Sequence, residues 1–490
     1  MKNWDVFGIF LLIRLFSVFF VQTYFVPDEY WQSLEVAHKI SFGYGYLTWE
    51  WRAGIRSYIY PLIISTFYTI LRFFELDDPI FLIYGPRVLQ ALLSAYSDLC
   101  FYQWSGTKKW AVFSIATSWF WFYTGSRTLI NSFESALTVI ALSQFPWVGR
   151  GKDENLKFIW IAGLLSAIRP TAVIIWIPLC IYHLLITKYK IYSLIITRYI
   201  PIALIIFALS TLLDSLTHGS LVVTPYEFLK FNIFQDVGSW YGSQPWYWYL
   251  SAGFPAVLGI QFVPFIMATL VIIKNKDAHV NELALLGTIV FALTVYSLLP
   301  HKEFRFLLPL LPIALHVSSK FLSAWSRKAN KLVLWAVAII LFLGNVGPAY
   351  YLGFVHQRGT LDVMENLREI SFNKPNDTHL LFLMPCHSTP YYSHLHVNVT
   401  AKFLTCEPNF NGTSYYIDEA DQFYNNPGLW IRTHYPPNGT LPSHIICFDV
   451  LKPMISDILS RYKTTHEIAH SSFPSGRVGY NVLINERIGK

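Results

Sequence analysis

LVLWAVAIILFLGNVGPAYYL, Leu332–Leu352, runs without a charged side chain. It is long enough to cross a bilayer, because a hydrocarbon core of about 30 Å takes roughly 20 helical residues. Working outward, the same pattern recurs at Phe7–Val26, Ile80–Trp104, Ile191–Leu213, Ala256–Ile273 and Leu283–Leu299. Charged residues make up 14% of the 490 and hydrophobic ones 53%, whereas an average soluble domain carries about 25% charge. So many spanning runs in one chain exclude a soluble fold and specify a polytopic α-helical membrane protein. The first run is read as a retained helix rather than a cleaved signal. Its basic n-region is only Lys2, opposed by Asp5, Arg14 interrupts it, and no small-x-small cleavage site follows. The net charge of +7 does not argue for nucleic acid, because the basic residues lie in short loops between apolar runs, the usual cytosolic bias.

Composition changes near residue 355, dividing the chain into a membrane domain, 1–354, and a soluble domain, 355–490. The tail is rich in Asn, Pro, His and Tyr, with β-like stretches at His379–Met384, His444–Phe448 and Val478–Ile484, and is expected to be a mixed α/β domain. It also holds every Asn-x-Ser/Thr triplet of the chain, at Asn376, Asn398, Asn411 and Asn438, which suggests a lumenal location. Cys386 and Cys406 could close a disulfide in that oxidising space. A cytosolic N-terminus and a lumenal tail require an odd number of spans. About eleven fit: 7–26, 56–74, 80–104, 109–124, 128–148, 157–186, 190–213, 253–274, 282–299, 303–324 and 331–354. This register puts Lys188–Lys190, Lys274–Lys276 and Arg327–Lys331 in the cytosol, but Arg150–Lys152 on the side that the charge rule disfavours.

Two boundary segments carry unusual polarity. VPDEYWQ, Val26–Gln32, follows the first run directly, and acids at a membrane boundary cost free energy unless a partner or a task holds them. Asp28 and Glu29 are therefore candidate catalytic acids, although an interfacial helix N-terminus would also favour them. HKEFRFLLPLLP, His301–Pro312, sets four ionisable groups against an apolar run. His301, Lys302 and Arg305 could bind a phosphate, and Glu303 could pair with Arg305 or with a donor hydroxyl. Snorkelling charges at a helix end are the plainer alternative. Glu50 and Arg52 in YGYLTWEWR, and Trp240 in WYGSQPWYWYLSAG, offer sugar contacts or an interfacial aromatic belt. The histidines His387, His394 and His396 match no standard zinc spacing, and no metal site is expected.

HKEFRFLLPLLP resembles the HKE-x-RF-x-x-P-x-x-P signature of the dolichol-phosphate-mannose-dependent mannosyltransferases of the GT-C superfamily. VPDEYWQSLEVAH, YGYLTWEWR, SRTLINSFE, VHQRGTLDVM, MPCHSTPYYSH and YIDEADQFYNNP narrow the likeness. They look like the branch that adds the third mannose of the glycosylphosphatidylinositol (GPI) anchor. The resemblance implies a multi-pass GT-C-like enzyme of the endoplasmic reticulum. It would carry mannose from dolichyl phosphate mannose, as co-substrate, to a dimannosyl GPI precursor in α1,2 linkage. No cofactor is implied. A β-phosphate donor giving an α-mannoside means inversion, which needs one carboxylate to accept the acceptor's proton. Asp28 or Glu29 would be that base, and the cations of His301–Arg305 would compensate the leaving phosphate. A sister mannosyltransferase of N-glycan assembly is the nearest rival. A transporter would instead show ionisable residues near mid-membrane or inverted repeats.

Overall fold

A computed structural model describes residues 2–149, 156–410, 415–436 and 439–489. The chain divides into two compact units. The first comprises Met1–Phe19, Glu50–Leu62 and Pro86–Ala349; the second comprises Phe20–Trp49, Ile63–Gly85 and Tyr350–Lys490. Compactness thus groups the chain differently from a cut at 354/355, for it places two early segments with the C-terminal domain.

The first unit is helical throughout. Among the described residues, six helices of the chain are long and apolar enough to cross a membrane, including Ile191–His218, Tyr249–Lys274, Val280–Leu298 and Phe304–Ser326. The span expected at 157–186 is two helices, Lys157–Ile168 and Val173–Ile186. Pro170 disfavours helical geometry in the residue before it, and Arg169 accordingly lies in the extended region, with φ −142°. The two legs fold back on each other. Phe158 at the start of one packs against His183 at the end of the other, with ring centroids 5.1 Å apart. Lys157–Ile168 packs on Ile130–Gln144 and Ile200–His218, whereas Val173–Ile186 packs on Val280–Leu298. The helix expected over 109–124 is also broken, at Ser118.

Buried charges tie these helices together. Arg14 Nε donates to Asp98 Oδ2 at 2.7 Å, and Trp121 Nε1 donates to Asp98 Oδ1 at 2.8 Å. Asp214 accepts from Ser57 Oγ, Tyr58 N and Thr224 Oγ1 at 2.9–3.0 Å. Those bonds bring the 50–62 segment against Val222, where Gly54 has φ +68° and an added Cβ would meet Val222 Cγ1 at 2.8 Å.

The second unit contains a five-stranded sheet of order β2-β1-β3-β5-β4. Its strands are β1 His379–Leu383, β2 Thr400–Phe403, β3 His444–Phe448, β4 Tyr462–Ala469 and β5 Asn481–Arg487. β1 is parallel to β2 and β3, while β5 is antiparallel to β3 and β4. Leu381, Leu383, Ile445, Cys447 and Leu483 pack under Phe423 and Trp430 of two short helices. The tail is therefore mixed α/β. Ile59–Phe73, expected within a span at 56–74, turns polar groups of its later half to this unit: Ser65 bonds Ser41 and Arg72 donates to Ser41 O at 2.7 Å. Asn376 and Asn398 are exposed, whereas Asn411 and Asn438 lie outside the described residues.

Cys386 and Cys406 form a disulfide with Cα atoms 5.9 Å apart. A closed loop of this size stabilises by about 3 kcal/mol. Non-reducing peptide mapping of the native protein is expected to recover the two cysteine peptides joined. The Cys386→Ser variant is expected to melt at a lower temperature, and unchanged melting would contradict the contribution.

Candidate active site

In the first unit, the segment after Val280–Leu298 is braced by its own charges. Glu303 Oε1 accepts from Arg305 Nη2 at 2.5 Å and from His301 Nε2 at 2.8 Å. Burial alone would raise the Glu303 carboxyl, but Arg305 and His301 outweigh it and hold it at about 2. Burial also opposes protonation of His301, yet Glu303 prevails and moves the imidazole above its ordinary value of 6.5. Lys302 Nζ donates to Gln244 O at 3.0 Å and also to Leu299 O, binding the 240–253 loop to the end of the preceding helix. The Glu303 N–H donates to Tyr249 Oη at 3.3 Å, and Asn131 Nδ2 donates to Arg305 O at 3.1 Å. The structure thus brings His301, Glu303 and Arg305 together in one knot, with Lys302 turned to backbone carbonyls.

Two residues that the sequence reading did not single out complete this cluster. Arg169 Nη1 donates to Glu134 Oε2 at 2.8 Å, and the Arg169 guanidinium carbon lies 5.5 Å from the Phe306 ring centroid. Glu134 lies in the quoted SRTLINSFE segment, so its motif was visible; Arg169 was a lone arginine in an apolar run. Glu50 pairs with Arg56, Nη2 to Oε1 at 2.6 Å, while Arg52 is exposed and Trp240 is 40% exposed.

Asp28 and Glu29 lie in the second unit, just before a π-helical turn, Tyr30–Leu34. Asp28 is half-buried and Glu29 buried. The turn is fixed from both ends. Trp31 Nε1 donates to Thr389 O at 3.0 Å, and its ring packs on His387, Tyr391 and Phe403. Glu35, buried, accepts from Tyr391 N at 2.8 Å and from Ser393 Oγ at 2.5 Å. Burial raises its carboxyl to about 7 against those bonds. Burial lowers His387 to about 4 although Asp28 opposes it, so at neutral pH a neutral imidazole faces Asp28. His387 lies beside Cys386 and Cys406, but the two sulfurs are bonded to each other, so neither is a thiolate ligand.

The Alg9-like mannosyltransferase family model matches residues 5–396. The chain belongs to this family. Within it, a GPI mannosyltransferase 3 of Drosophila melanogaster is 51% identical over 96% of this chain and 84% of its own length. The GPI alpha-1,2-mannosyltransferase 3 of Homo sapiens is 41% identical, covering 97% and 86%. In fold, this family member is similar to ArnT from Cupriavidus metallidurans in the apo state, with TM-score 0.61 at 12% identity over 99% and 98% of the two chains. An Archaeoglobus fulgidus oligosaccharyltransferase tethered to an acceptor peptide gives TM-score 0.55, covering 99% and 76%. The chain is a polytopic membrane protein with a GT-C fold.

The charge knot has a pH signature. A group whose folded pKa is raised stabilises fully below its unfolded value and loses that contribution as pH rises through the folded one. For His301 the loss begins above pH 6.5, its ordinary value. For Glu303, held at about 2, stabilisation is constant across neutral pH. The melting-temperature gap between wild type and His301→Gln is expected to be widest near pH 6 and to shrink by pH 9. A gap independent of pH would contradict the pairing.

Proposed function

We propose that this chain transfers the third mannose of the GPI anchor, in α1,2 linkage, from dolichyl phosphate mannose to a dimannosyl GPI precursor. The observation that carries the reading is the 51% identity, over 96% of the chain, to a relative named GPI mannosyltransferase 3.

The chemistry follows from the donor. A β-linked mannosyl phosphate giving an α-mannoside inverts at the anomeric carbon. A direct displacement of this kind needs a base for the acceptor hydroxyl and charge compensation for the leaving phosphate. Asp28 is proposed as the base, with Glu29 as its partner or alternate. The cations of His301–Arg305 are proposed to meet the phosphate, with Glu303 fixing their geometry as it fixes Arg305 and His301. Glu50, Arg52 and Trp240 are proposed sugar or acceptor contacts. The donor carries a monophosphate, so no divalent cation is proposed and no other cofactor enters.

The proposed setting is the endoplasmic reticulum membrane, with about eleven spans and a lumenal segment 355–490. Ile59–Phe73, whose Ser65 and Arg72 bond Ser41, and the two helices within 157–186 are each shorter than a full straight crossing. The latter two, Lys157–Ile168 and Val173–Ile186, are proposed to enter the membrane as an antiparallel pair. In support, Val148, Tyr182 and Asn281 are hydrogen-bonded at one end of the helices, while Glu134 and Arg169 pair at the other. The first of these ends also carries Lys274 and Lys276, as expected of a cytosolic face. Val148 thereby joins the basic side, whereas the neighbouring Arg150–Lys152 loop lies outside the described residues.

The test is Asp28→Asn, assayed in membranes of cells lacking the endogenous enzyme and normalised to protein abundance. Asn keeps size and hydrogen bonding but loses basicity, so transfer is expected to fall about 10²–10⁴-fold, with Glu29→Gln milder. Near-normal transfer in both variants and in the double would remove the base from this loop.

A further inference from the structure

Arg169 stands at the turn between Lys157–Ile168 and Val173–Ile186, its side chain 11% exposed. A guanidinium presents five N–H donors in a planar fork. Among the described residues only Nη1 finds an acceptor, Glu134 Oε2. Four donors of a nearly buried cation are therefore unused by the protein, and a buried charge is costly to keep unless it is paired and hydrogen-bonded.

Its surroundings show what the open donors face. The guanidinium carbons of Arg169 and Arg305 lie 5.5 and 5.4 Å from the centroid of one ring, Phe306. The Tyr249 hydroxyl feels both cations as well as Glu303. Arg305 is answered by Glu303 and Arg169 by Glu134. With Lys302 beside them the cluster keeps a surplus positive charge. Two guanidinium groups gathered at one ring suit an anion with several oxygens, because Arg offers a fork to phosphate.

We propose that Arg169 is a donor-binding residue whose open N–H edges hold the phosphate of the lipid-linked mannose donor together with Arg305. The inference rests on the reading of this chain as a dolichyl-phosphate-mannose-dependent transferase and adds a residue to its site. The alternative role is purely structural: Arg169 would only neutralise Glu134.

The two roles separate in a double variant. Arg169→Gln is expected to raise both the donor KM and the inhibition constant of dolichyl phosphate about tenfold, the scale of one charge-assisted hydrogen bond. The acceptor KM is expected to stay within about twofold. A neutral pair in place of a buried ion pair is well tolerated, so Glu134→Gln/Arg169→Gln restores abundance if the single variant accumulates poorly. In that double variant the donor and dolichyl phosphate defects are expected to persist. Arg169→Lys, which keeps the charge but not the fork, is expected to fall between. Return of donor KM and dolichyl phosphate inhibition to wild-type values in the double variant would overturn the proposal. If wild type itself neither uses dolichyl phosphate mannose nor is inhibited by dolichyl phosphate, the underlying reading fails; if it does both and the variants match it, only Arg169 does.

Discussion

A charge held among apolar helices must be met by another charge or by hydrogen bonds, and that constraint decides how the helical unit is assembled. Arg14 and Asp98, Glu134 and Arg169, and Asp214 with Ser57, Tyr58 and Thr224 each join segments distant in sequence. Apolar packing alone would leave rotation and register loosely specified, since lipid tails compete with side chains for every helix face. A buried ion pair does not tolerate a displaced partner, because an uncompensated buried charge costs on the order of 3–5 kcal/mol. The pairs thereby fix neighbours, and the same device, repeated at Glu303, fixes the His301–Arg305 segment.

The second unit uses a carboxylate differently. Glu35 sits on the helix after the candidate acids and receives backbone and hydroxyl donors from Tyr391 and Ser393. Trp31 is held by Thr389 in the same way. The early segment and the C-terminal domain are one compact body in consequence, and the loop bearing Asp28 and Glu29 takes its shape from residues hundreds of positions later. A C-terminal domain that fixes the loop of the candidate acids has a structural task whether or not it touches substrate.

Much of this was legible in the sequence, for physical reasons that also explain the rest. The long helices follow from hydropathy, and β1, β3 and β5 from apolar stretches that must be buried on both faces. β4, YKTTHEIA, alternates with exposed polar residues as an edge strand and carries little hydropathy signal. Ile59–Phe73 has the composition of a span, and the bonds of its Ser65 and Arg72 to Ser41 could not be read from that composition. The turn at Arg169–Pro170 hides inside an apolar run, and its partner Glu134 is 35 residues away. The clustering of ionisable residues at His301–Arg305 was plain in the sequence, but not that Lys302 would face the carbonyls of Gln244 and Leu299. Pairing is a property of the fold, so a motif can name the charges and still leave their partners open.

The most direct measurement is the product itself. The purified protein, given labelled dolichyl phosphate mannose and a dimannosyl GPI lipid, is expected to add one mannose, with its linkage read by a linkage-specific α-mannosidase and by methylation analysis. A single α1,2-linked residue on the second mannose is expected, with release of dolichyl phosphate. A β-linked product, or transfer to a lipid-linked oligosaccharide in place of the GPI lipid, would contradict it.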